Sequence, residues 1–278
     1  PAVNNFCGSW RLKRLVCDNW NVPPSLSRPM DNNVRRSTKR RGGKNSDGHS
    51  QEQGDSCGEW SITNCLVPNP SWRHVVRDNL NLEYTILLTA GGATGLLNRL
   101  ENDLTYFEGD LARVRVFGKW HAIPRKQVAY GDPGLTYKFS GNTVPALDWH
   151  PALKEVRDVL QQITGHRFNF VLVNRYKDGS DRMGEHKDDE KELDPTVPIA
   201  SVSLGQSRDF IFRHQDVVRG GPHGGRQAIA NVSLELEHGS LLLMKSPTNQ
   251  YWYHSLPARK RVTGVRLNLT FRKMVQGT

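Results

Sequence analysis

Apolar and polar positions change period along the chain, and the changes divide it. Up to about residue 68 no helical or strand period persists, and Ser, Asn, Gly, Pro and charged residues dominate. Such a stretch cannot bury enough apolar surface to fix a fold. Pattern begins near Pro70. Leu82–Leu88 reads as a strand, and Leu96, Leu97, Leu100 and Leu104 recur at helical spacing within Thr94–Leu104. Ala112–His121 alternates as one strand and ends in an aromatic–Gly–Lys–aromatic tip. Pro124–Gln127 and Tyr137–Phe139 follow in turn-rich surroundings. Pro151–Thr164 predicts an amphipathic helix with Leu153, Val156, Val159, Leu160 and Ile163 on one side. Short strands then arrive at regular intervals: Phe168–Asn174, Ile199–Leu204, Asp209–Arg213, Ile229–Leu236, Ser240–Met244, Tyr251–Ser255 and Val265–Arg272. The expected fold class is α+β, mainly β: an antiparallel sandwich or jelly roll with the early helices packed outside.

Composition sharpens this division. The hydrophobic fraction of 36% is low for a wholly globular chain of 278 residues, which fits a polar leader ahead of a folded part. Net charge is +10; residues 1–68 carry 10 Lys and Arg against 6 Asp and Glu, leaving 28 against 22 for the rest. The folded part is therefore basic in its own right, which favours a polyanionic partner. The run Arg35-Arg-Ser-Thr-Lys-Arg-Arg-Gly-Gly-Lys44 reads as a nuclear address or a nucleic-acid tether, and otherwise as a solvated basic stretch. Cys7, Cys17, Cys57 and Cys65 form no Cys-x-x-Cys pair, which argues against a zinc finger and for reduced thiols. No run of 18 apolar residues occurs, so no membrane span is expected.

The densest chemistry lies in Asn174-Arg-Tyr-Lys-Asp-Gly-Ser-Asp-Arg-Met-Gly-Glu-His186-Lys-Asp188-Asp-Glu190. Residues i and i+2 of a strand share a face, so His186 and Asp188 can aim a nitrogen and a carboxylate oxygen at one point. Two histidines and one carboxylate on one face of a metal, with open positions opposite, define the non-haem Fe(II) oxygenase site. A second His-x-Asp, His214-Gln-Asp216, reads as a solvated strand end entering a Gly-rich loop. Nearer the C-terminus, His254 stands 66 residues after Asp188, room for several strands. In Arg266-Leu-Asn-Leu-Thr-Phe-Arg272, the residues Arg266, Asn268, Thr270 and Arg272 share one strand face and Leu267, Leu269 and Phe271 the other. Two arginines buried together are costly without an anion, and a dicarboxylate suits their bidentate forks. The plainer alternative is a solvent-facing strand.

Together these features resemble the Fe(II)/2-oxoglutarate dioxygenases. Asn174-Arg-Tyr176, Glu185-His-Lys-Asp-Asp-Glu190 and Arg266-x-Asn-Leu-Thr-Phe-Arg272 are similar to the AlkB family of nucleic-acid dealkylating dioxygenases. Arg113-Val-Arg-Val-Phe-Gly-Lys-Trp-His121, Gly134-Leu-Thr-Tyr-Lys-Phe-Ser-Gly141 and Tyr253-His-Ser-Leu-Pro257 narrow the likeness to its animal, duplex-DNA-repairing members. The resemblance implies a double-stranded β-helix over residues 70–278 with a nucleotide-recognition segment at about 110–141; it does not cover residues 1–69, which composition marks as a disordered basic leader. It implies Fe(II) on His186, Asp188 and His254, and 2-oxoglutarate on Arg266 and Arg272, with Asn174, Tyr176 and Thr270 completing the pocket. With O2 as the other cosubstrate, it implies demethylation of 1-methyladenine and 3-methylcytosine in duplex DNA, with formaldehyde and succinate released. The same chemistry on RNA or protein, or a non-catalytic nucleic-acid binder, are the alternatives.

These lesions lie on the Watson–Crick edge, so the base must leave the stack. The resemblance places it between Phe139 and His186, with Tyr137 alongside and Asp189 and Glu190 reading its polar edge. Phe117, flanked by Gly118 and Lys119, becomes a wedge in the duplex, and Lys138 joins the recognition segment. Arg125, Lys126, Arg259, Lys260 and Arg261 become phosphate contacts. By pattern alone Phe117 and Phe139 are core aromatics, and Arg259–Arg261 is a solvated turn. A nuclear monomer is expected, with a replication or repair protein as the open partner class for the leader.

Overall fold

The computed structural model describes residues 60–116, 119–139, 142–216 and 229–275. In chain order it contains a 3-10 turn (Ile62–Cys65), β1 (Arg73–Arg77), β2 (Leu80–Ile86), α1 (Ala90–Asp103), a second 3-10 turn (Gly109–Ala112), β3 (Arg113–Val116), β4 (Lys119–Ala122), β5 (Lys126–Gly131), β6 (Thr136–Phe139) and β7 (Asn142–Pro145). Then follow α2 (Pro151–Thr164), β8 (Phe170–Tyr176), β9 (Met183–His186), β10 (Ile199–Gly205), β11 (Arg208–His214), β12 (Val232–Leu236), β13 (Ser240–Met244), the short α3 (Thr248–Tyr251), β14 (Trp252–Leu256) and β15 (Arg266–Arg272).

The strands form a seven-stranded sheet in the order β1-β2-β13-β10-β15-β8-β5 and a four-stranded sheet in the order β12-β11-β14-β9. Adjacent strands within both run antiparallel. This is the mainly β, jelly-roll architecture that the strand spacing predicts. Alternation along β15 shows how the layers are assigned. Leu267, Leu269 and Phe271 enter a core shared with Leu96 and Leu100 of α1 and with Leu153, Val156 and Leu160 of α2. Each side chain buried there contributes about 1.5–3 kcal/mol. The opposite face of the large sheet meets the small one through Leu82, Tyr176, Leu242, Phe210, Phe212 and Trp252. Arg266, Asn268, Thr270 and Arg272 are all buried, so the solvent-facing alternative is excluded.

Helix α2 occupies the predicted span. Pro151 opens it, and Gly165 closes it in the left-handed region at φ 71°, which favours glycine. Three expectations need correction. Packed structure is already present before Pro70: Ile62 and Cys65 are buried, and the Val67 amide donates to the Leu87 carbonyl at 2.9 Å. The rest of the expected leader, residues 1–59, lies outside the described residues. Ala112–His121 is not one strand. It is the hairpin β3–β4, with Val116 registered against Lys119. His214 is not solvated but 3% exposed; it stacks on Tyr251 and meets Trp252 edge-on.

Candidate active site

Local chemistry shapes the loop after β8. Asp178 Oδ1 accepts from the Ser180 amide at 2.7 Å, and Asp181 Oδ2 from the Lys177 amide at 2.8 Å. These side-chain turns reverse the chain. Gly179 lies against the backbone of Arg259 and Val262, and a Cβ there would stand 1.9 Å from the Arg259 carbonyl oxygen. The loop is tied down by Gly179 N–H to Val262 O and Arg259 N–H to Gly179 O, both 2.7 Å. Arg208, 2% exposed, adds hydrogen bonds to the carbonyls of Asp178, Asp181 and Pro257. The chain then enters β9, which delivers His186 opposite His254 of β14 in direct register.

Asp188 follows β9 and crosses toward the large sheet. Its carboxylate lies 3.7 Å from His186 Nε2, 3.8 Å from His254 Nε2 and 3.2 Å from Arg272 Nη2. One ligand atom from each of His186, Asp188 and His254 falls within 4.8 Å of the others. The His186 Nδ1 lies 2.9 Å from the Gly184 carbonyl, which leaves Nε2 facing the cluster. Burial, with Arg272 and His186 adding to it against Asp188, pushes the His254 imidazole down to about 3. Burial alone would raise the Asp188 carboxyl, but Arg272, His254 and His186 outweigh it and hold it at about 2. A neutral imidazole and an ionised carboxylate are the forms that ligate metal.

The face of β15 opposite its helix-packed side lies behind this cluster. Arg272 Nη2 is engaged by Asp188, whereas its Nε and Nη1 are buried without partners. Arg266 Nη2 donates to Ser203 Oγ at 3.0 Å, and its Nε and Nη1 are likewise unpartnered. The two guanidiniums differ in one respect. Burial works against the charge of Arg272, but Asp188 outweighs it and holds that charge more firmly than usual. For Arg266 burial dominates and pushes the group down to about 10. It sits 5.2 Å from the Tyr176 ring and forms no ion pair among the described residues. Asn174 and Thr270 are buried beside them; Thr270 Oγ1 donates to Asn268 Oδ1 at 3.1 Å. A cavity of about 740 Å³ is lined by all three members of the cluster, by Asn174, Thr270 and Arg272, and by Tyr137, Lys138, Asp189 and Glu190. Arg266 and Tyr176 do not line it.

On another wall of the cavity, Tyr137 donates from its hydroxyl to Glu190 Oε1 at 2.5 Å, and its ring lies 5.2 Å from the Arg272 guanidinium. Burial, with Asp188 adding to it, pushes the Glu190 carboxyl up despite Arg272. Asp189 is exposed, and Lys138 lies 3.6 Å from Glu192. Lys119 is exposed on β4. Phe117, Gly118 and the Phe139 side chain lie outside the described residues, as does the Gly-rich loop after Asp216. Two expected phosphate contacts are differently engaged. Arg125 turns inward and donates from Nε to Asn174 Oδ1 at 2.7 Å, because the chain enters β5 beside β8. Arg259 is matched by Asp209, 2.7 Å away. Lys126, Lys260 and Arg261 are exposed. Gln127, Ser201, Phe210 and Met244 also line the cavity, and sequence pattern alone does not reveal them.

A family model described as the 2OG-Fe(II) oxygenase superfamily matches residues 93–272. The chain belongs to that superfamily, in its AlkB branch, and is an Fe(II)- and 2-oxoglutarate-dependent dioxygenase. DNA oxidative demethylase ALKBH2 of Mus musculus is 55% identical over 209 residues, 75% of this chain and 86% of that protein. DNA oxidative demethylase ALKBH2 of Homo sapiens is 55% identical over 206 residues, 74% and 78% of the two chains. Alpha-ketoglutarate-dependent dioxygenase alkB homolog 3 of Homo sapiens is 35% identical over 150 residues, 54% and 51% of the two chains. The residues present fit both groups that the superfamily requires. Three converging N, O and N donors suit Fe(II), and buried guanidinium N–H groups without acceptors suit a dicarboxylate.

Proposed function

We propose that this chain is a DNA-repair dioxygenase that demethylates 1-methyladenine and 3-methylcytosine, preferentially in duplex DNA. One observation carries the reading: a metal-ligand cluster, the unpartnered N–H groups of Arg272 and an acidic wall converge on one cavity. The names of relatives 55% identical to this chain support the DNA substrate. His186, Asp188 and His254 would hold the iron. Bound Fe(II) and 2-oxoglutarate supply the oxidation that consumes O2, converts 2-oxoglutarate to succinate and CO2, and releases the methyl group as formaldehyde.

The chain's own residues do the rest. Arg272 fixes Asp188 at 3.2 Å, so the carboxylate keeps one orientation, and its remaining N–H groups receive a cosubstrate carboxylate. Arg266 gives the other carboxylate a cationic, buried partner. Asp189 and Glu190 face a base that methylation has made cationic, and neighbouring carboxylates favour a cation. The Tyr137 hydroxyl holds Glu190 in place. Phe139 and His186 stack on the flipped base, and Phe117 fills the gap it leaves. Lys126, Lys260 and Arg261 meet phosphates. The basic run Arg35–Lys44 supports a nuclear address, and the leader a repair or replication partner, with the enzyme acting as a monomer. Comparing turnover on methylated duplex DNA, single-stranded DNA and RNA tests the substrate. The duplex is expected to be preferred, and a clear preference for RNA would overturn the reading.

A further inference from the structure

Asn174 and Asn268 are registered neighbours on β8 and β15, yet their amides are held in opposite senses. Asn268 spends its amino group inside the protein, donating to Ser201 Oγ at 2.8 Å and to the Val202 carbonyl at 3.1 Å. Asn174 does the reverse. Its Oδ1 accepts twice, from Arg125 Nε at 2.7 Å and from Gln127 Nε2 at 2.8 Å. Its Nδ2 has no hydrogen-bond partner among the described residues, although the side chain is 3% exposed and lines the cavity. Turning this amide over would set an NH2 against two N–H donors. Two hydrogen bonds would be lost, one of them charge-assisted. The two donors therefore leave the amino group as the end offered to a ligand, and an anion needs that end.

Gln127 is well placed for this task. It is 4% exposed, lies on β5 directly opposite Asn174 and makes its hydrogen bond wholly inside the fold. Arg125 reaches the same oxygen from the start of the same segment, next to the β3–β4 hairpin. We infer that Gln127 and Arg125 are positioning residues for the cosubstrate: they lock the Asn174 amide with its amino group free to bind a carboxylate of 2-oxoglutarate. This rests on the reading of Asn174 as a cosubstrate residue.

The test is 2-oxoglutarate binding to Mn(II)-loaded full-length protein, followed by calorimetry. Wild type is compared with Gln127→Met, Arg125→Met, Asn174→Ala and the Gln127→Met/Asn174→Ala pair. Gln127→Met keeps the side-chain length and removes the donor; Arg125→Met tests the second donor should the first variant fold poorly. Each is expected to weaken 2-oxoglutarate about threefold to tenfold, the loss of roughly one net hydrogen bond. In the Fe(II) enzyme, Gln127→Met is expected to raise KM for 2-oxoglutarate by the same factor while KM for methylated DNA does not move. The paired variant should bind no more weakly than Asn174→Ala alone, because both act through one amide. Wild-type affinity in Gln127→Met, or losses that add in the pair, would overturn the positioning role while leaving Asn174 in the pocket. Wild-type affinity in Asn174→Ala would instead overturn the cosubstrate reading of Asn174.

Discussion

At the residue scale the two buried arginines of β15 are not equivalent. Arg272 is paired with Asp188, whereas Arg266 is buried and has no ion pair among the described residues. Removing one member of a buried pair strands the other charge, so Arg272→Met is expected to cost the metal-free protein about 3–5 kcal/mol. Arg266→Met removes a charge that burial already opposes, so the free protein should be as stable or more so. Its 2-oxoglutarate affinity should nevertheless fall by at least about tenfold, the weight of a charged hydrogen bond. Chemical denaturation with and without 2-oxoglutarate separates the two variants; equal destabilisation by both would contradict this division. The cluster of His186, Asp188 and His254 was legible in the sequence because its cue is local spacing plus one histidine with strands between. Arg208, Gln127 and the inward turn of Arg125 were not. Their partners are carbonyls and amides brought close only by pairing between distant strands, and a guanidinium in sequence reads as surface by default.

Elements were legible in proportion to their apolar repeat. Helix α2 lies where the pattern puts it because five apolar positions keep a helical period, and strand β13 because its short apolar run is bounded by turn signals. Strands β1 and β7 escaped, being short and largely exposed, with neither period established. Helix α1 begins at Ala90, before the first leucine repeat. Gly91 and Gly92 look like loop, yet a Cβ at Gly92 would stand 2.3 Å from that of Cys65, so glycine is what lets the helix seat on the 3-10 turn. The loop after β8 depends on glycine in the same way. Gly179→Ala should overpack the contact with Arg259 and cost about 1–3 kcal/mol in denaturant unfolding. An unchanged midpoint would mean that the loop is free to move away. The hairpin β3–β4 carries a different prediction. Phe117→Ala should reduce repair in duplex DNA more than in single strands, because only the duplex leaves a gap to fill. Equal losses in both would reject the wedge.

For the whole molecule, the net charge of +10 and the exposed Lys126, Lys260 and Arg261 predict DNA binding that weakens steeply as salt rises, through counterion release. A flat salt response, measured by fluorescence anisotropy of a labelled duplex, would argue that the basic surface is not used. The jelly roll accounts for the rest of the design. One sheet carries the face proposed for the cosubstrate, the other carries the two histidines of the cluster, and Asp188 bridges them through Arg272. The central claim is that this bridge works as a DNA demethylation site, and one reaction tests it most directly. Purified protein is mixed with Fe(II), ascorbate, 2-oxoglutarate and a duplex carrying a single 1-methyladenine, and the oligonucleotide mass is read by mass spectrometry. The account predicts the loss of one methyl group, dependent on 2-oxoglutarate and absent in His186→Ala. An unchanged mass, or the same loss in His186→Ala, would contradict it.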